Sequence, residues 1–288
     1  SEVARWTLAK RTDVVRHYLP LAALEPEEDT EHVHQLRVGC RRAVAAITAW
    51  KEFLPDKQAR RVKRMLRKIR RSANDARNAD VLLEHLQSND EATHEGIGIL
   101  VDQIQKYRQQ SQAPILAIYQ KFGHEKLAQR ATALVQSVAW HADGSEPTFI
   151  EFARCRMAVI AAEFFDVATD NGDSAKDLHA LRVAGKRLRY AMEIFSEAFC
   201  DAFRETIYPV VEQLQDALGA LNDHHVAQER YQRIVATIPP NAVAAYLARL
   251  IQEEWSAFGR GRDEFLAWWT TDRVRDLQAG LDQAIHMQ

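Results

Sequence analysis

Residues 33–42 read VHQLRVGCRR, and residues 178–187 read LHALRVAGKR, 145 positions later. The same offset aligns a second pair of segments, RNADV at 77–81 and NDHHV at 222–226. Two separate matches in one register without a gap indicate that the second half of the chain repeats the first. The sequence therefore predicts two structurally equivalent halves related by a pseudo-two-fold axis.

The segments around these motifs have the periodicity of helices. Apolar residues recur every three or four positions over long stretches, and the alternating pattern of strands is scarce. Loop signals separate these stretches at residues 20–26, 55–56, 144–147, 171–174 and 239–241. We therefore predict an all-α fold, in which Pro114 kinks or breaks one helix.

The chain is long enough for two packed helical halves. It has 288 residues, of which 47% are hydrophobic, and only 11 Gly and 8 Pro interrupt it. The apolar periodicity lapses near residues 141–148. We expect one domain over residues 1–288, with a first half at 1–143 and a second half at 147–288.

The cysteines and the hydropathy favour a reducing compartment away from membranes. Cys40, Cys155 and Cys200 are far apart in helical patterns, so neither a disulfide framework nor a zinc site is predicted. The first residues form no apolar signal core, and no run approaches the roughly 20 apolar residues of a membrane span. We expect a cytoplasmic protein with no membrane partner, no metal and no other cofactor.

Each repeated motif places a histidine and several cations on one face of a predicted helix. Because a helix has 3.6 residues per turn, positions i, i+3 and i+7 share a face, so His34, Arg37 and Arg41 form one stripe. A solvated basic face is one alternative, and a histidine bonded to a neighbouring helix is another. Ordinary surface charge has no reason to recur in register, so the repetition favours a binding site. The stripe of the second copy consists of His179, Arg182, Lys186 and Arg189.

The segment after the first motif is strongly basic. Residues 60–71 contain eight Lys and Arg and no Asp or Glu. Like charges four residues apart oppose helix formation by roughly 0.2–0.5 kcal/mol per pair. A helix that accepts this repulsion is expected to meet an anion. Its apolar stripe at helical spacing is nevertheless clear, at Val62, Met65, Leu66 and Ile69.

Charge is segregated along the chain, although the net charge is only −2. Residues 33–86 contain 14 Lys and Arg against five Asp and Glu, whereas the matching residues 178–231 contain six against eight. An overall balance near zero disfavours general adhesion to anionic surfaces, and local segregation indicates a defined anionic ligand. The two repeats thus share a motif and differ in electrostatic field.

These residues resemble the CHAD domain, the conserved histidine α-helical domain, whose hallmark is His-x-x-Arg-Val followed by paired basic residues and present twice. The resemblance extends over essentially the whole chain and includes LHALRVAGKRLRY at 178–190. It also includes LGALND at 218–223, which resembles a short loop or helix junction of the family. Val44 departs from the family pattern, in which a further Arg is common, so the first motif is expected to rely on the basic helix over 60–71.

The resemblance implies two antiparallel four-helix bundles and a basic surface or channel that binds inorganic polyphosphate without catalysis. Association with polyphosphate granules follows from such a function. We assign His34 and His179 as donors flanking the phosphate path, whereas packing is the stronger interpretation for Tyr190. The candidate polyphosphate-binding residues are His34, Arg37, Arg41, Arg42, Arg60, Lys63, Arg64, Arg67, Lys68, Arg71, His179, Arg182, Lys186, Arg187, Arg189 and Tyr190.

Two other functions are compatible with a basic helix. One is binding of a nucleic-acid backbone such as RNA, but single-strand binders interleave aromatics with their cations, and only Trp50 and Tyr190 are near the cations here. The other is metal-dependent phosphate processing, which needs clustered carboxylates or a phosphate-binding glycine loop, and neither is apparent. The Asp-His-His run at 223–225 favours a cap or a helix interface over a metal site, because consecutive helical residues point about 100° apart.

Overall fold

The computed structural model describes residues 1–26, 29–88, 95–169, 172–235 and 242–286. These residues form helices and no strands, so the all-α prediction is confirmed. None of the described helices combines the length and the apolar character that crossing a membrane requires. The chain divides into two compact units, which we call the first unit (Ser1–Glu146) and the second unit (Pro147–Gln288).

The described residues of the first unit form six α-helices: α1 (Glu2–Leu24), α2 (Glu31–Ala49), α3 (Asp56–Ser72), α4 (Asn74–Ser88), α5 (Glu95–Gln110) and α6 (Gln112–Gln136). Helices α1 and α3 each pack against both α2 and α6, so these four helices close a ring around the core. Helices α4 and α5 pack against each other, and they also contact α2 and α6 respectively.

The described residues of the second unit form five α-helices: α7 (Phe149–Ala168), α8 (Ala175–Phe195), α9 (Tyr208–Val235), α10 (Ala242–Trp268) and α11 (Thr271–His286). A π-helical turn at Phe203–Ile207 leads directly into α9. Helix α7 packs against α8 and α11, α8 packs against α9, and the π-helical turn packs against α11. Helix α10 packs along α9.

Glycines of the motif helices allow close helix packing. A Cβ atom at Gly39 of α2 would lie 2.9 Å from Cγ1 of Val14 on α1, closer than side chains normally approach. A Cβ atom at Gly185 of α8 would overlap Nε2 of Gln215 on α9. Each motif helix therefore packs closely against a neighbouring helix at its glycine.

The helix junction predicted at residues 218–223 is wrong, because these residues lie within α9. The equivalent residues of the first unit do form a junction, in which Ala73 separates α3 from α4. Leu218 and Leu221 are both buried. The apolar face of α9 thus continues through the segment, and packing overrides the glycine between them.

The loop predicted to begin at Pro20 is also wrong at that residue, because α1 continues through it to Leu24. Packing and capping explain the continuation. Ala22 and Ala23 are buried. The side-chain amide of Gln112 donates to their carbonyl oxygens at 2.8 and 3.0 Å, which satisfies the end of the helix.

Pro114 lies in the first turn of α6, after the chain has turned at Ser111 between α5 and α6. Proline is tolerated there because the first N–H groups of a helix have no acceptor within it. The other predicted loops that the structure describes, at 55–56, 144–147 and 172–174, contain or adjoin connections between helices. The loop predicted at 239–241 lies outside the described residues.

Candidate anion-binding site

The first motif helix, α2, holds its predicted stripe at the edge of the core. His34, Arg37, Arg41 and Arg42 are half-buried, and Val33 on the same helix is buried. The core-facing apolar residues thus fix the rotation of α2, and this rotation leaves the polar ends of the motif residues at the rim of the packed interior. Partial burial matters because it strengthens electrostatic interactions relative to those in water.

The electrostatic environment of His34 is strongly positive. Its pKa is lowered, first by burial and then by the positive charge of Arg77 on α4. Arg41 and Arg37 lower the pKa further, whereas the nearby Glu31 raises it. The imidazole is therefore disposed to be neutral in the free protein at neutral pH, because protonation would add another cation to this group.

Helix α3 contributes Arg70 to the same region. The pKa of Arg70 is lowered, first by burial and then by the charge of Arg41. Three helices therefore bring like charges within interaction distance. Glu84 lies 3.0 Å from Arg77 and offsets part of this charge, and an entering anion stabilises the rest. We call this group the His34 cluster; it consists of His34, Arg37, Arg41, Arg70 and Arg77.

The basic run of α3 lies outside the buried apolar stripe, as the helical spacing predicts. Val62 and Met65 are buried, and so are Leu66 and Ile69. In the part of the chain that the structure describes, Arg60 is the only cation of the run with a carboxylate oxygen within 4.0 Å, at 3.8 Å from Asp56. The remaining seven cations of the run therefore keep their charge uncompensated by close ion pairs.

The cations of α3 do not all line the same recess. Arg60, Arg64 and Lys68 line a recess between α3 and α6. Lys63, Arg67 and Arg71 complete the predicted set and lie outside that recess. The pKa of Lys63 is lowered, first by burial and then by Arg67. Helix α3 thus spreads its charge over more than one side.

The second motif helix, α8, places its residues differently. His179 is exposed, and Arg182 and Lys186 are half-buried. Tyr190 is only 8% exposed, so it packs in the interior of the second unit. The histidines of the two motifs thus differ in environment, although they occupy equivalent sequence positions.

Two arginines of α8 have carboxylate partners within the second unit. Arg187 is 2.5 Å from Glu163 of α7. Arg189 is 3.9 Å from Glu193, one turn further along α8. A ligand must compete with these carboxylates, so the second motif is electrostatically weaker than the first.

Sequence reasoning missed Arg70 and Arg77 as members of the His34 cluster. Arg70 stands in the basic run, and Arg77 begins the second aligned segment, so both carried a signal. Their role depends on how α3 and α4 pack beside α2, and the spacing of residues along one helix contains no such information.

Two polar contacts connect helix pairs outside the basic region. Arg108 Nε on α5 lies 2.5 Å from Asp80 Oδ1 on α4, and Asp80 is 2% exposed. In the second unit, His224 Nδ1 on α9 lies 2.6 Å from Glu254 Oε2 on α10. The run at 223–225 thus serves as a helix interface. Within the described residues, no group of three or more His, Cys, Asp or Glu is arranged to hold a metal ion.

Comparison with known proteins places the two motifs within one family. The family model of the CHAD domain matches residues 7–232, a range that contains both His-x-x-Arg-Val motifs. The chain belongs to the CHAD domain family. None of the curated proteins matches it.

Two solved structures are similar to this CHAD protein. The CHAD domain from the plant Ricinus communis aligns with a TM-score of 0.73 and 20% identity, over 100% of this chain and 92% of that chain. PptA from Streptomyces chartreusis aligns with a TM-score of 0.73 and 17% identity, over 93% of this chain and 98% of that chain. At these identities the likeness concerns the fold.

Proposed function

We propose that this protein binds inorganic polyphosphate and holds it without cleaving it. The observation that carries the proposal is the concentration of positive charge in the first unit, where the His34 cluster adjoins the largely unpaired cations of α3. Membership of the CHAD domain family supports the same ligand.

The chemistry of polyphosphate matches such a surface. The polymer carries negative charge on each phosphate and has no base or sugar to recognise, so its receptor needs many cations along a rigid support. Arginine bridges neighbouring phosphate oxygens with its planar fork, and lysine adds a mobile point charge. Each charged hydrogen bond contributes about 1.5–3 kcal/mol before the costs of desolvation and ordering. A few contacts are therefore enough for stable binding.

His34 has a specific part in this proposal. Burial and three arginines lower its pKa in the free protein. A bound polyanion supplies negative charge and reverses that effect, so the imidazole takes up a proton and donates a hydrogen bond to phosphate. Arg37, Arg41 and Arg42 of the same helix are the accompanying donors.

The second motif is proposed to bind the same class of ligand with a smaller contribution. His179, Arg182 and Lys186 are the proposed contacts on α8. Arg187 and Arg189 already interact with carboxylates, so phosphate gains less from them. Tyr190 supports α8 by packing.

Binding is proposed to occur without turnover. Cys40 is the cysteine of the first motif, and burial raises the pKa of its thiol to about 12, which keeps it protonated and non-nucleophilic. Purified protein is expected to leave the length of polyphosphate unchanged, with or without divalent metal, in a gel assay. Release of orthophosphate at a rate that His34→Ala or His179→Ala abolishes would mean that a catalytic histidine has been taken for a binding one.

A competition experiment tests the proposed ligand. Polyphosphate, single-stranded RNA and duplex DNA are titrated at matched charge and salt, and polyphosphate is expected to bind most tightly. Its affinity should increase with chain length up to the span of the basic surface. Equal affinity for pyrophosphate and long polymer contradicts an extended surface, and tighter binding of RNA favours a nucleic-acid ligand. In cells, the proposal predicts co-localisation with cytoplasmic polyphosphate granules.

A further inference from the structure

A recess between α3 and α6 is lined by none of the residues of the His34 cluster. Its volume is about 360 Å³. Met65 and Phe122 form the apolar part of its wall, and no Asp or Glu is among the described residues that line it. Its six cations come from two helices that pack against each other, and they are Lys57, Arg60, Arg61, Arg64, Lys68 and Arg130.

Most of these cations lack the ion pairs that other cations of the described residues form. Arg60 is 3.8 Å from Asp56, and both side chains are mostly exposed. In the described part of the chain, the other five cations of the recess have no carboxylate oxygen within 4.0 Å. By contrast, Arg204 of the second unit contacts Asp201 at 2.6 Å and Glu197 at 3.2 Å. The recess is therefore a concave space with several positive charges, and no carboxylate is among its described lining residues.

Arg130 gives the recess a wall that the basic run alone does not provide. It is half-buried on α6, and its Nη1 lies 3.8 Å from Sδ of the buried Met65 on α3. Packing against that sulfur limits the freedom of the guanidinium, and its planar fork can engage two phosphate oxygens at once. An anion in the recess thus meets cations from two opposing helices, which a solvated helix face does not offer.

We propose that this recess is a separate binding site for a short chain of phosphoryl groups of about tripolyphosphate size. Such a ligand carries several negative charges within a few ångströms, and the recess presents its cations at that scale. The ligand is either a free short polyphosphate or the terminal segment of a polymer. The site rests on the polyphosphate-binding function proposed above and extends it: Arg60, Arg64 and Lys68 belong to the candidate residues named there, whereas Lys57, Arg61 and Arg130 belong neither to the motifs nor to the His34 cluster.

Methionine methyl NMR with tripolyphosphate as the probe tests the proposal. The chain has four methionines, and of these Met65 lines the recess, whereas Met157 and Met192 are buried in the second unit. Protein labelled at the methionine methyl carbon should show a saturable shift of the Met65 resonance, assigned with Met65→Leu. The resonances of Met157 and Met192 should stay in place. A Met65 resonance that does not respond overturns the site.

A matched pair of double variants separates the recess from the general field of α3. Arg61→Ala with Lys68→Ala removes two exposed cations of the recess, and Arg67→Ala with Arg71→Ala removes two exposed cations of the same helix outside it. The first variant should raise the dissociation constant reported by Met65 at least about tenfold. The second should change it less than about threefold. Equal effects of the two variants contradict a distinct site.

The origin of the ligand and the independence of the site are settled in the same titrations. A Met65 shift that long polyphosphate reproduces identifies a polymer segment as a ligand, and a shift given by tripolyphosphate alone identifies a free short chain; both outcomes support the site. Binding of long polyphosphate at the His34 cluster is followed separately through the His34 imidazole resonances. Loss of the Met65 response with a retained His34 response rejects only the recess, and the reverse result rejects only the proposed polyphosphate surface.

Discussion

Neutralising three exposed arginines of α3 tests directly whether this helix contacts polyphosphate. The α3 triple variant replaces Arg64, Arg67 and Arg71 with Gln. All three side chains are exposed, and among the described residues none of them has a carboxylate oxygen within 4.0 Å. Their removal therefore breaks no ion pair of the first unit, and any loss of affinity reports on the ligand.

The expected loss follows from counterion release. By analogy with single-stranded nucleic acid, the logarithm of the affinity falls with the logarithm of the salt concentration by about 0.7 per neutralised phosphate. If each of the three arginines neutralises one phosphate, the slope flattens by about 2. At 0.1 M salt this corresponds to binding that is about 100-fold weaker.

A matched variant on α8 removes the same charge from the second unit. This α8 triple variant replaces Arg182, Lys186 and Arg189 with Gln. Arg189 already lies 3.9 Å from Glu193, and the surrounding residues 178–231 contain more acidic than basic residues. We therefore expect a loss of less than about tenfold from this variant.

Titrations of both variants with long polyphosphate across a salt series, accompanied by thermal melts, decide the comparison. Folding of the α3 variant should survive. Its substitutions remove four like-charged pairs spaced four residues apart, worth about 1–2 kcal/mol of repulsion in total. Equal losses from the two variants would mean that the histidine motifs dominate binding. If the α3 variant loses no affinity for polyphosphate, α3 is only a solvated basic face.

Three further predictions concern protons, a buried ion pair and helix packing. Because polyphosphate should raise the lowered pKa of His34, binding should take up protons and should tighten as pH falls towards about 6.5. Calorimetry in buffers of different ionisation enthalpy measures the number of protons taken up, and a value of zero would contradict the prediction. Arg108→Ala leaves the buried Asp80 unpaired, so the free energy of unfolding in urea should fall by about 3–5 kcal/mol. A fall of less than about 1 kcal/mol would contradict this prediction. Gly39→Ala places a methyl group 2.9 Å from Val14. Overpacking should destabilise the protein by about 1–3 kcal/mol, which outweighs the roughly 1 kcal/mol gained in helix propensity. A raised melting temperature would refute this prediction, and adding Val14→Ala should restore stability.

Local periodicity accounts for what could be predicted of the fold and the motif. The stripe of His34, Arg37 and Arg41 depends only on 3.6 residues per turn, and the structure places all three at the rim of the core. The apolar stripe of α3 was predictable for the same reason. The loop signal at Pro20 failed because Gln112, a distant side chain, caps the end of α1. The junction predicted at residues 218–223 failed because the buried face of α9 continues through it.

The rest of the candidate site depends on contacts between helices. Arg130 is more than sixty positions from Met65 along the chain, and nothing in its own segment marks it as a ligand-facing residue. Its place beside α3 follows from the packing of α6 against α3. Arg77 likewise reaches the environment of His34 only because α4 packs beside α2. A single sequence contains no pairwise distance, so residues of this kind become visible only in the folded chain.

Charge pairing distinguishes the two units more clearly than charge number does. The first unit contains 23 Lys and Arg against 19 Asp and Glu, and the second unit contains 15 against 21. With acids in excess, arginines of the second unit find partners one turn away or on a neighbouring helix, as Arg204 does with Asp201 at 2.6 Å and Arg187 with Glu163 at 2.5 Å. Helix α3 has no such option, because residues 60–71 contain no acid. Among the described residues, helix α3 thus keeps most of its cations without a close carboxylate, whereas Arg187 and Arg204 of the second unit contact carboxylates of their own unit.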